Sequence, residues 1–524
     1  MEKVRTWKRG FIVGLMVATL TLGAWISGVL NSISNTQDAV LLHALLPLSS
    51  IVRAHKADAY ASDVERIDAF ITEQMERHAL PGLALALVEG DQVIFMKGYG
   101  AADQTGRPIT PQTPFILASV SKPLTATAIM QLVEAGKVEL NAPVQRYLPE
   151  FQVADPIASS QITVRHLLLH ISGIPATACD TRINAKTLAE YVAELQTVKL
   201  DAPVGTRHNY CSGNYNVLGR IIEVVSGQSF GEYMQEHIFT SLDMRHSFTS
   251  EQVAQEAGLA QGYQWFFGLS VPTHHPYNTS QIPSGYITSS VEDMSHFLIA
   301  QLNQGQYAGI HLLSADSVAD MQVPGTNRSS GGGYGFGWVI SPVGDVPAVW
   351  HDGVNVNFHS LVLMQPETRR GVIVLMNSFG IVPYESAYKE LEEGVVRLFA
   401  DLEPAASTQS LGSLYSLIDA LLIGLLAIVL FPLLRMQKWR RWLFERQQVG
   451  NLPLIRVSLR SAWEIGFAIV FLIGIRMFIV TGLGAQSWYE VLTVFPDFVI
   501  WIWVFALIVL FTGVIRMKLI VQTR

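Results

Sequence analysis

The stretch PFILASVSKPLTATAIMQLVEAG, residues 114–136, indicates a short loop that runs into an amphipathic helix. Ser119 and Lys122 stand near the helix start, and residues three positions apart share one helix face. A serine hydroxyl needs an adjacent base to become a nucleophile at neutral pH. Lys122 can supply that base if burial and the positive helix end destabilise its ammonium. The same spacing recurs at Ser386 and Lys389, which we interpret as an ordinary exposed helix pair.

The apolar residues of the chain are concentrated at its two ends. The 524 residues are 49% hydrophobic, with a mean hydropathy of +0.29. Residues 1–31 carry a basic cluster and then an apolar run, which predicts a signal peptide or a signal anchor; the length of the run favours a retained anchor. Three further apolar runs, at 411–434, 463–483 and 491–515, predict a three-helix transmembrane domain over residues 411–515.

The distribution of charge predicts the orientation of these segments. Seven basic residues lie between the first two C-terminal runs, and short basic loops stay on the cytoplasmic side. Everything from about residue 31 to 410 is then expected outside the cytoplasm, on a multi-pass protein of the bacterial cytoplasmic membrane. Residues 10–400 hold 21 Lys and Arg against 35 Asp and Glu, which argues against nucleic acid as a partner. Arg476 and Asp497 are predicted to pair at similar depth between two membrane helices.

The outer segment, residues 64–401, follows a linker at 32–63 and has an α/β pattern. Near its start, GLALALVEGDQVIFMKGYGAAD alternates apolar residues around a Gly-Asp turn, as a hairpin does. Near its end, AVWHDGVNVNFHSLVLMQPETRRGVIVLMNS again indicates strands separated by turns. The middle is more helical. We therefore predict one sheet built from both ends of the segment, covered by helices, with a helical insertion.

Two more motifs accompany the Ser-x-x-Lys pair. Tyr210-Cys-Ser212 follows about 90 residues later, and the strand-like segment VWHDGVNVNFHS contains His351-Asp-Gly353. In this order the motifs resemble those of the serine β-lactamase and penicillin-binding-protein superfamily, in particular its class C-like members. The phrases LLLHISGIP, PSGYITSSVEDMSHF and YGFGW strengthen the resemblance. It implies an antiparallel sheet covered by helices, with a helical subdomain.

The resemblance also assigns catalytic roles. Ser119 would form an acyl-enzyme with an amide or ester substrate, Lys122 would act as its base, and Tyr210 would relay a proton to the leaving group. The backbone N–H groups of Ser119 and Val354 would form the oxyanion hole. No cofactor or metal is expected, because the sequence contains no His-Glu-x-x-His motif or comparable ligand set.

Two positions depart from the usual superfamily pattern. Ser212 ends the second motif where many relatives have Asn, and His351 opens the strand motif where β-lactamases have Lys. Loss of that lysine weakens the attraction for a substrate carboxylate, so efficient β-lactamase activity is disfavoured. Relatives with His-x-Gly at this position include esterases, D-aminopeptidases and amidases.

The combination of an outer hydrolase domain with three C-terminal transmembrane helices resembles the membrane-bound prodrug-activating D-asparaginyl peptidases, such as the colibactin-maturing peptidase. These enzymes remove an N-acyl-D-asparagine group from exported nonribosomal peptide precursors. The resemblance implies that Ser212, His351 and Asn355 bind substrate together with a loop histidine, assigned to His275 with His274 as the alternative. A buried primary amide needs both donors and acceptors, which Ser, His and Asn supply.

Several alternatives remain open at this point. The chain could be a cell-wall D,D-peptidase or D-amino-acid amidase, an esterase, or a catalytically silent penicillin-binding sensor module. The extra membrane helices suggest a homodimer or an exporter partner. Cys179 and Cys211 are both placed near the cleft rim by the resemblance, and a disulfide between them is permitted outside the cytoplasm.

Overall fold

The computed structural model describes residues 56–176, 185–405, 410–448 and 496–522, together with helical pieces between 459 and 474. The predicted signal or anchor segment at 1–31 lies outside the described residues. The same holds for Cys179, for Arg476 and for most of the linker at 32–63.

Strands and helices alternate through the hydrolase segment. The strands are β1 Gly82–Glu89, β2 Gln92–Gly100, β3 Phe115–Ile116, β4 Gly262–Phe266, β5 Leu269–Thr273, β6 Thr288–Ser289, β7 Gln306–Tyr307, β8 Ile310–His311, β9 Thr326–Asn327, β10 Gly333–Tyr334, β11 Val339–Ile340, β12 Val349–Val354, β13 His359–Gln365, β14 Arg370–Met376 and β15 Ser378–Phe379. The α-helices are α1 Lys56–His78, α2 Ser121–Glu134, α3 Pro156–Gln161, α4 Val164–Leu168, α5 Leu188–Glu194, α6 Gly213–Ser226, α7 Phe230–Tyr233, α8 Glu251–Glu256, α9 Ile282–Gly285, α10 Val291–Leu302, α11 Ala315–Met321, α12 Ile381–Pro383, α13 Lys389–Phe399, α14 Leu411–Leu434, α15 Met436–Gln448 and α16 Pro496–Gln522. Short 3-10 or π-helical turns lie at Ala118–Val120, Val144–Arg146, Leu195–Thr197, Met234–Phe239, Thr279–Gln281 and Tyr384–Tyr388.

Eight strands form one sheet in the order β2–β1–β14–β13–β12–β11–β10–β9. Every neighbouring pair in it is antiparallel. Strand β1 lies against β14, with Leu83 opposite Met376 and Glu89 opposite Arg370. The beginning and the end of the hydrolase segment therefore meet as neighbouring strands, the second and third from one edge of the sheet. The predicted α/β fold, with an antiparallel sheet made from both ends, is confirmed.

Strand β1 is buried on both faces, which explains its unbroken apolar run. Ala84 and Ala86 belong to a core shared with α2, α6 and α10, whereas Leu83 and Leu85 belong to a second core shared with α1 and α13. Successive strand residues point to opposite faces of a sheet. Helices thus cover both faces, and the largely helical stretch between β3 and β4 brings α6 against α2.

Among the described residues of the C-terminal part, one helix, Val499–Gln522, is long and apolar enough to cross a bilayer. Within the described residues, Leu411–Ala427 and Ser461–Gly474 are shorter apolar helices, so one span is found where three were predicted. The Asp497 carboxylate accepts a hydrogen bond of 2.9 Å from the backbone N–H of Phe267. Because Arg476 lies outside the described residues, its pairing with Asp497 stays a prediction.

Candidate active site

The turn that carries Ser119 is held from two sides. Ser119 lies in the 3-10 turn Ala118–Val120, immediately before α2. The hydroxyl of Ser360 on β13 donates to the Leu117 carbonyl at 2.6 Å, and the Leu117 N–H donates to the Ile287 carbonyl at 2.9 Å. Ala118 has a φ of +47°, in the left-handed region that non-glycine residues rarely adopt. The surrounding contacts therefore impose an unusual backbone on the residue before the nucleophile.

Two glycines allow this close approach. A Cβ at Gly353 would lie 2.2 Å from both the Leu117 carbonyl oxygen and the Ser360 hydroxyl. Gly337 has a φ of +82°, and a Cβ there would lie 2.9 Å from the backbone nitrogen of Pro123, next to Lys122. The glycines of the HDG motif and of the YGFGW phrase thus let the backbones of β12 and of the turn after β10 contact the start of α2.

Lys122 is fully buried, with its amine beside the Ser119 hydroxyl. Its Nζ lies 2.9 Å from Ser119 Oγ, 2.8 Å from the Ser284 carbonyl oxygen and 3.4 Å from Ser212 Oγ. Burial disfavours the ammonium form of a lysine and favours a neutral amine that can accept a proton. Sequence analysis assigns no role to Ser284, which lies in the phrase PSGYITSSVEDMSHF.

Tyr210 completes the group around the serine. Its hydroxyl lies 2.9 Å from Ser119 Oγ, and the Lys122 Nζ lies 4.9 Å from the centre of its ring. Tyr210 is 36% exposed, so a substrate can reach the phenol. The Ser119 hydroxyl therefore lies between a buried amine and an accessible phenol, an arrangement suited to acyl transfer.

A buried histidine, His170, positions the Tyr210 ring. The two ring centres are 4.5 Å apart. His170 Nδ1 accepts the Cys211 N–H at 3.2 Å and lies 3.0 Å from the Asn214 side-chain nitrogen. Burial lowers the pKa of His170 well below its usual value, so the ring is neutral at pH 7. The signal for this residue was the LLLHISGIP phrase, to which the sequence assigned no function.

His351 is enclosed by protein rather than open to substrate. It is 2% exposed, its Nδ1 lies 2.5 Å from the Asp352 carbonyl oxygen, and its Nε2 lies 3.2 Å from the Tyr334 hydroxyl. Burial lowers the pKa of His351 to about 4. A neutral imidazole with both nitrogens bonded therefore occupies the strand-motif position.

Three further predicted site residues, Val354, Ser212 and Asn355, differ in their exposure and in their bonding partners. Val354, the second oxyanion candidate, ends β12 and is 42% exposed. Ser212 is within reach of the Lys122 amine, as noted above. The Asn355 side chain accepts the N–H of Val356 at 2.7 Å, a bond typical of a turn residue. This bond uses the Asn355 amide oxygen, so a role as a substrate ligand would fall mainly to the amide nitrogen.

His274 and His275 line a cavity of about 440 Å³ whose lining includes none of the three catalytic candidates. His274 Nε2 lies 2.9 Å from a Glu251 carboxylate oxygen, and His275 Nε2 lies 3.4 Å from Gln264 Oε1. Burial lowers the pKa of His275. The structure therefore places the predicted loop histidine in a separate cavity from the Ser119 hydroxyl.

Two smaller findings concern residues with reactive side chains. Cys211 is disulfide-bonded and buried; the only other cysteine of the chain, Cys179, lies outside the described residues. The Ser386 hydroxyl bonds the Val382 carbonyl and Lys389 bonds Glu385, so this pair bonds within its own helical segment.

One cluster of the described residues has side chains spaced like metal ligands: His246, Glu292 and Asp293. Asp293 is already bonded to the His246 N–H at 2.7 Å and to the Ser247 hydroxyl at 2.6 Å. Glu292 and Asp293 lie in the first turn of α10, and Asp293 has a structural role there, since it bonds the distant segment at His246 and Ser247 to this helix.

The site consists of a serine between a buried lysine and an accessible tyrosine, beside an antiparallel sheet covered by helices. This combination defines a serine hydrolase that works through an acyl-enzyme. The match to known proteins agrees with this geometry. Residues 67–394 match the family described as Beta-lactamase, and the chain belongs to that family.

Similar proteins include two kinds of bacterial relative and one solved structure. Penicillin-binding protein 4 of Amycolatopsis lactamdurans is 34% identical over 327 residues, which cover 60% of this chain and 84% of that protein. Protein flp of Staphylococcus aureus strain MW2 is 26% identical over 471 residues, covering 88% of this chain and 91% of that protein. The octameric penicillin-binding protein homologue from Pyrococcus abyssi has a TM-score of 0.57 at 27% identity, covering 66% of this chain and 79% of that one.

Proposed function

We propose that the protein is a membrane-bound, extracytoplasmic serine peptidase that removes an N-acyl-D-asparagine group from a nonribosomal peptide precursor. The observation that carries the proposal is the neutral, enclosed His351, which replaces the lysine of β-lactamases. A substrate whose recognised group is an uncharged amide does not need a cation at this position. A substrate with a free carboxylate needs a cation there to bind its negative charge.

The reaction begins with attack of the Ser119 oxygen on the carbonyl carbon of the D-asparagine residue. The Ser119 proton passes to the Lys122 amine, 2.9 Å away, as the new C–O bond forms. The oxyanion is stabilised by the backbone N–H groups of Ser119 and Val354. Tyr210 then gives its proton to the leaving amine, the C–N bond breaks, and Lys122 reprotonates the phenolate. Water attacks the resulting ester in the reverse proton sequence and releases the N-acyl-D-asparagine.

Recognition of the D-asparagine amide is assigned to Ser212, Asn355 and His275. Ser212 already faces the Lys122 amine. Asn355 can donate from its amide nitrogen while its oxygen keeps the bond with the Val356 N–H. His275, in the neighbouring cavity, must turn away from Gln264. Substrate binding is therefore expected to reorganise the segment after β5.

The membrane location is part of the same proposal. The apolar helix Val499–Gln522 supports it, as does the basic helix α15, which carries Arg440 and Arg441. We retain the three C-terminal spans and the N-terminal anchor as proposals, with the hydrolase domain outside the cytoplasm. A lipid-tailed substrate would be concentrated at such a surface. A homodimer or an exporter is the partner proposed for the membrane helices.

A cell-wall D,D-peptidase or D-amino-acid amidase is the second candidate. The name of the Amycolatopsis lactamdurans relative, penicillin-binding protein 4, favours it, because the match covers most of that protein. The two candidates share the Ser119 chemistry and differ in whether the substrate group next to the cleaved bond is an amide or a small methyl side chain.

The test compares hydrolysis of matched N-acyl-D-Asn, N-acyl-L-Asn and N-acyl-D-Ala amides by the full-length protein in lipid nanodiscs. The Ser119→Ala variant is the blank. Preference for D-Asn over both other substrates, lost in the blank, supports the prodrug peptidase. Equal or faster cleavage of the D-Ala amide, together with labelling of Ser119 by a fluorescent penicillin, would identify the protein as a cell-wall D,D-peptidase or D-amino-acid amidase instead.

A further inference from the structure

The hairpin of β4 and β5 presents apolar side chains to the outside of the hydrolase domain. Phe267 is 37% exposed, Leu269 69% and Val271 37%. The whole segment GYQWFFGLSVPT, residues 262–273, contains no charged residue. An exposed apolar cluster of this kind marks a contact surface.

Two apolar helices of the C-terminal part contact the turn of this hairpin. The Phe267 N–H donates to Asp497, at the start of α16. Tyr415, near the start of α14, packs on Gly268, where an added Cβ would lie 2.9 Å from the Tyr415 Cβ. The Tyr415 ring also stacks on Trp265, with ring centres 6.3 Å apart. The hairpin turn is therefore held at the first turns of both helices.

The depth of these contacts can be counted along each helix. A hydrocarbon core of about 30 Å needs about 20 helical residues. Arg435 and Arg516 are the first basic residues after the two apolar runs, and basic residues mark the cytoplasmic boundary. Counting about 20 residues back from Arg435 reaches Tyr415, and the same count from Arg516 reaches Pro496, next to Asp497. Two independent counts thus place the hairpin turn at the outer boundary of the core.

We propose that the β4–β5 hairpin inserts Phe267, Leu269 and Val271 into the outer surface layer of the lipid bilayer. The partner of this face is the bilayer itself, and the inference rests on the membrane location given under Proposed function. Tyr and Trp are enriched at membrane interfaces, which fits Tyr415 and Trp265 at this level. The uncharged hairpin would bury apolar area in lipid without a cost for desolvating charge.

The hairpin also connects this surface to the catalytic sheet. The Asn357 side-chain nitrogen, in the β12–β13 loop, donates to the Thr273 carbonyl at 3.0 Å and lies 3.3 Å from its hydroxyl. Thr273 is the last residue of β5, and the loop follows Val354 on β12. Lipid contact at the tip would therefore fix the loop beside the active site, and an acyl tail could stay in the bilayer while its head reaches Ser119.

The test labels single introduced cysteines with the fluorophore NBD in phosphatidylethanolamine–phosphatidylglycerol nanodiscs. The positions are Leu269→Cys on the β4–β5 hairpin, Ile310→Cys on the β7–β8 hairpin and Leu421→Cys on α14. Ile310 is the matched control, since its side chain is 45% exposed. The unsubstituted protein is the labelling blank, since Cys211 is disulfide-bonded. The readout is the loss of fluorescence when the lipids carry a doxyl spin label near the headgroup end of the acyl chain.

We expect NBD fluorescence to be quenched at positions 269 and 421 and not at position 310. Quenching at 421 without quenching at 269 would overturn the hairpin insertion and leave the membrane location standing. Absence of quenching at both positions would overturn the membrane location as well. Equal quenching at 269 and 310 would show non-specific adsorption and would also overturn the proposal.

A kinetic measurement tests the connection to the site. We expect Leu269→Asn to raise KM for a long-chain N-acyl-D-Asn amide at least about three-fold in nanodiscs, because apolar area is lost from the lipid contact. The KM of the matched N-acetyl substrate is expected to stay unchanged. Equal changes for both substrates would show a local structural effect and would contradict the proposed role of the hairpin.

Discussion

The substitution Gly353→Ala tests whether strand β12 sets the position of the nucleophile. The added methyl carbon would lie 2.2 Å from the Leu117 carbonyl oxygen, whereas ordinary contacts begin at 3.4 Å. Either β12 or the Leu117–Ala118 backbone must therefore move by about 1 Å. Leu117 is the residue before the turn that carries Ser119, so the displacement reaches the nucleophile directly. A second overlap, with the Ser360 hydroxyl, prevents the methyl group from escaping towards β13.

The expected effect on activity is larger than the effect on stability. A displacement of about 1 Å at a reacting atom can cost about 100-fold in rate. Overpacking in a core costs about 1–3 kcal/mol in unfolding free energy. We therefore expect kcat/KM for an N-acyl-D-Asn amide to fall about 100-fold while the variant remains folded. If the protein prefers another amide, the same loss is expected with that substrate.

The assay combines three measurements on Gly353→Ala and a control. Amide hydrolysis gives kcat/KM, labelling by a fluorophosphonate gives the reactivity of Ser119, and thermal melting gives Tm. The control is Gly412→Ala, because a Cβ at Gly412 meets no atom within 4 Å. A Gly353→Ala protein that keeps kcat/KM within about three-fold of the parent would refute the claim that the strand glycine positions Ser119.

Three further outcomes follow from the described contacts. Lys122→Met is expected to lower the rate of Ser119 acylation by about 100- to 10,000-fold, because the nearest proton acceptor is removed. Burst kinetics measure the acylation rate, and a smaller loss would point to another base. Tyr210→Phe is expected to slow cleavage of amides more than of activated phenyl esters, whose leaving groups need no proton, and equal losses would contradict its role. Burial lowers the pKa of His351 from 6.5 to about 4, so the unfolded chain binds this proton more tightly. The contribution of His351 to stability is therefore expected to fall by roughly 3 kcal/mol as the pH drops from about 6.5 to 4. Melting of the parent and of His351→Gln against pH measures this, and parallel curves would contradict it.

The sequence predicted the parts of the fold and site that depend on local pattern. The hairpin from Gly82 and the strands after Ala348 carry enough apolar residues to be recognised, and the sequence placed them in one sheet. The direct pairing of β1 with β14 is a finding of the structure. Ser119 and Lys122 lie one turn apart at a helix start, so their proximity follows from helix geometry.

The remaining parts of the site depend on contacts between segments far apart in the chain. The Ser284 carbonyl reaches Lys122 from 162 residues away, and the His170 ring reaches Tyr210 from 40 residues away. A carbonyl group carries no residue signature, and a histidine in a helical phrase has no pattern that distinguishes a stacked ring from a surface one. The sequence therefore proposed the side chains that the structure brings together around Ser119, and it missed the Ser284 carbonyl and the His170 ring beside them.

His351 shows why residue type alone was insufficient for substrate recognition. On β12, alternate residues are buried, and His351 shares the buried face with Val349 and Gly353. The alternation of buried and exposed residues was visible in the sequence. The Tyr334 hydroxyl that bonds the His351 Nε2 comes from β10, two strands away in the sheet. A histidine with one free nitrogen would act as a substrate donor, whereas this one connects the β10 wall to the strand beside Ser119. The selectivity of the site is therefore expected to arise from the absence of a lysine charge at this position and from the proposed amide ligands Ser212, Asn355 and His275. His351 fixes the wall against which Tyr210 packs.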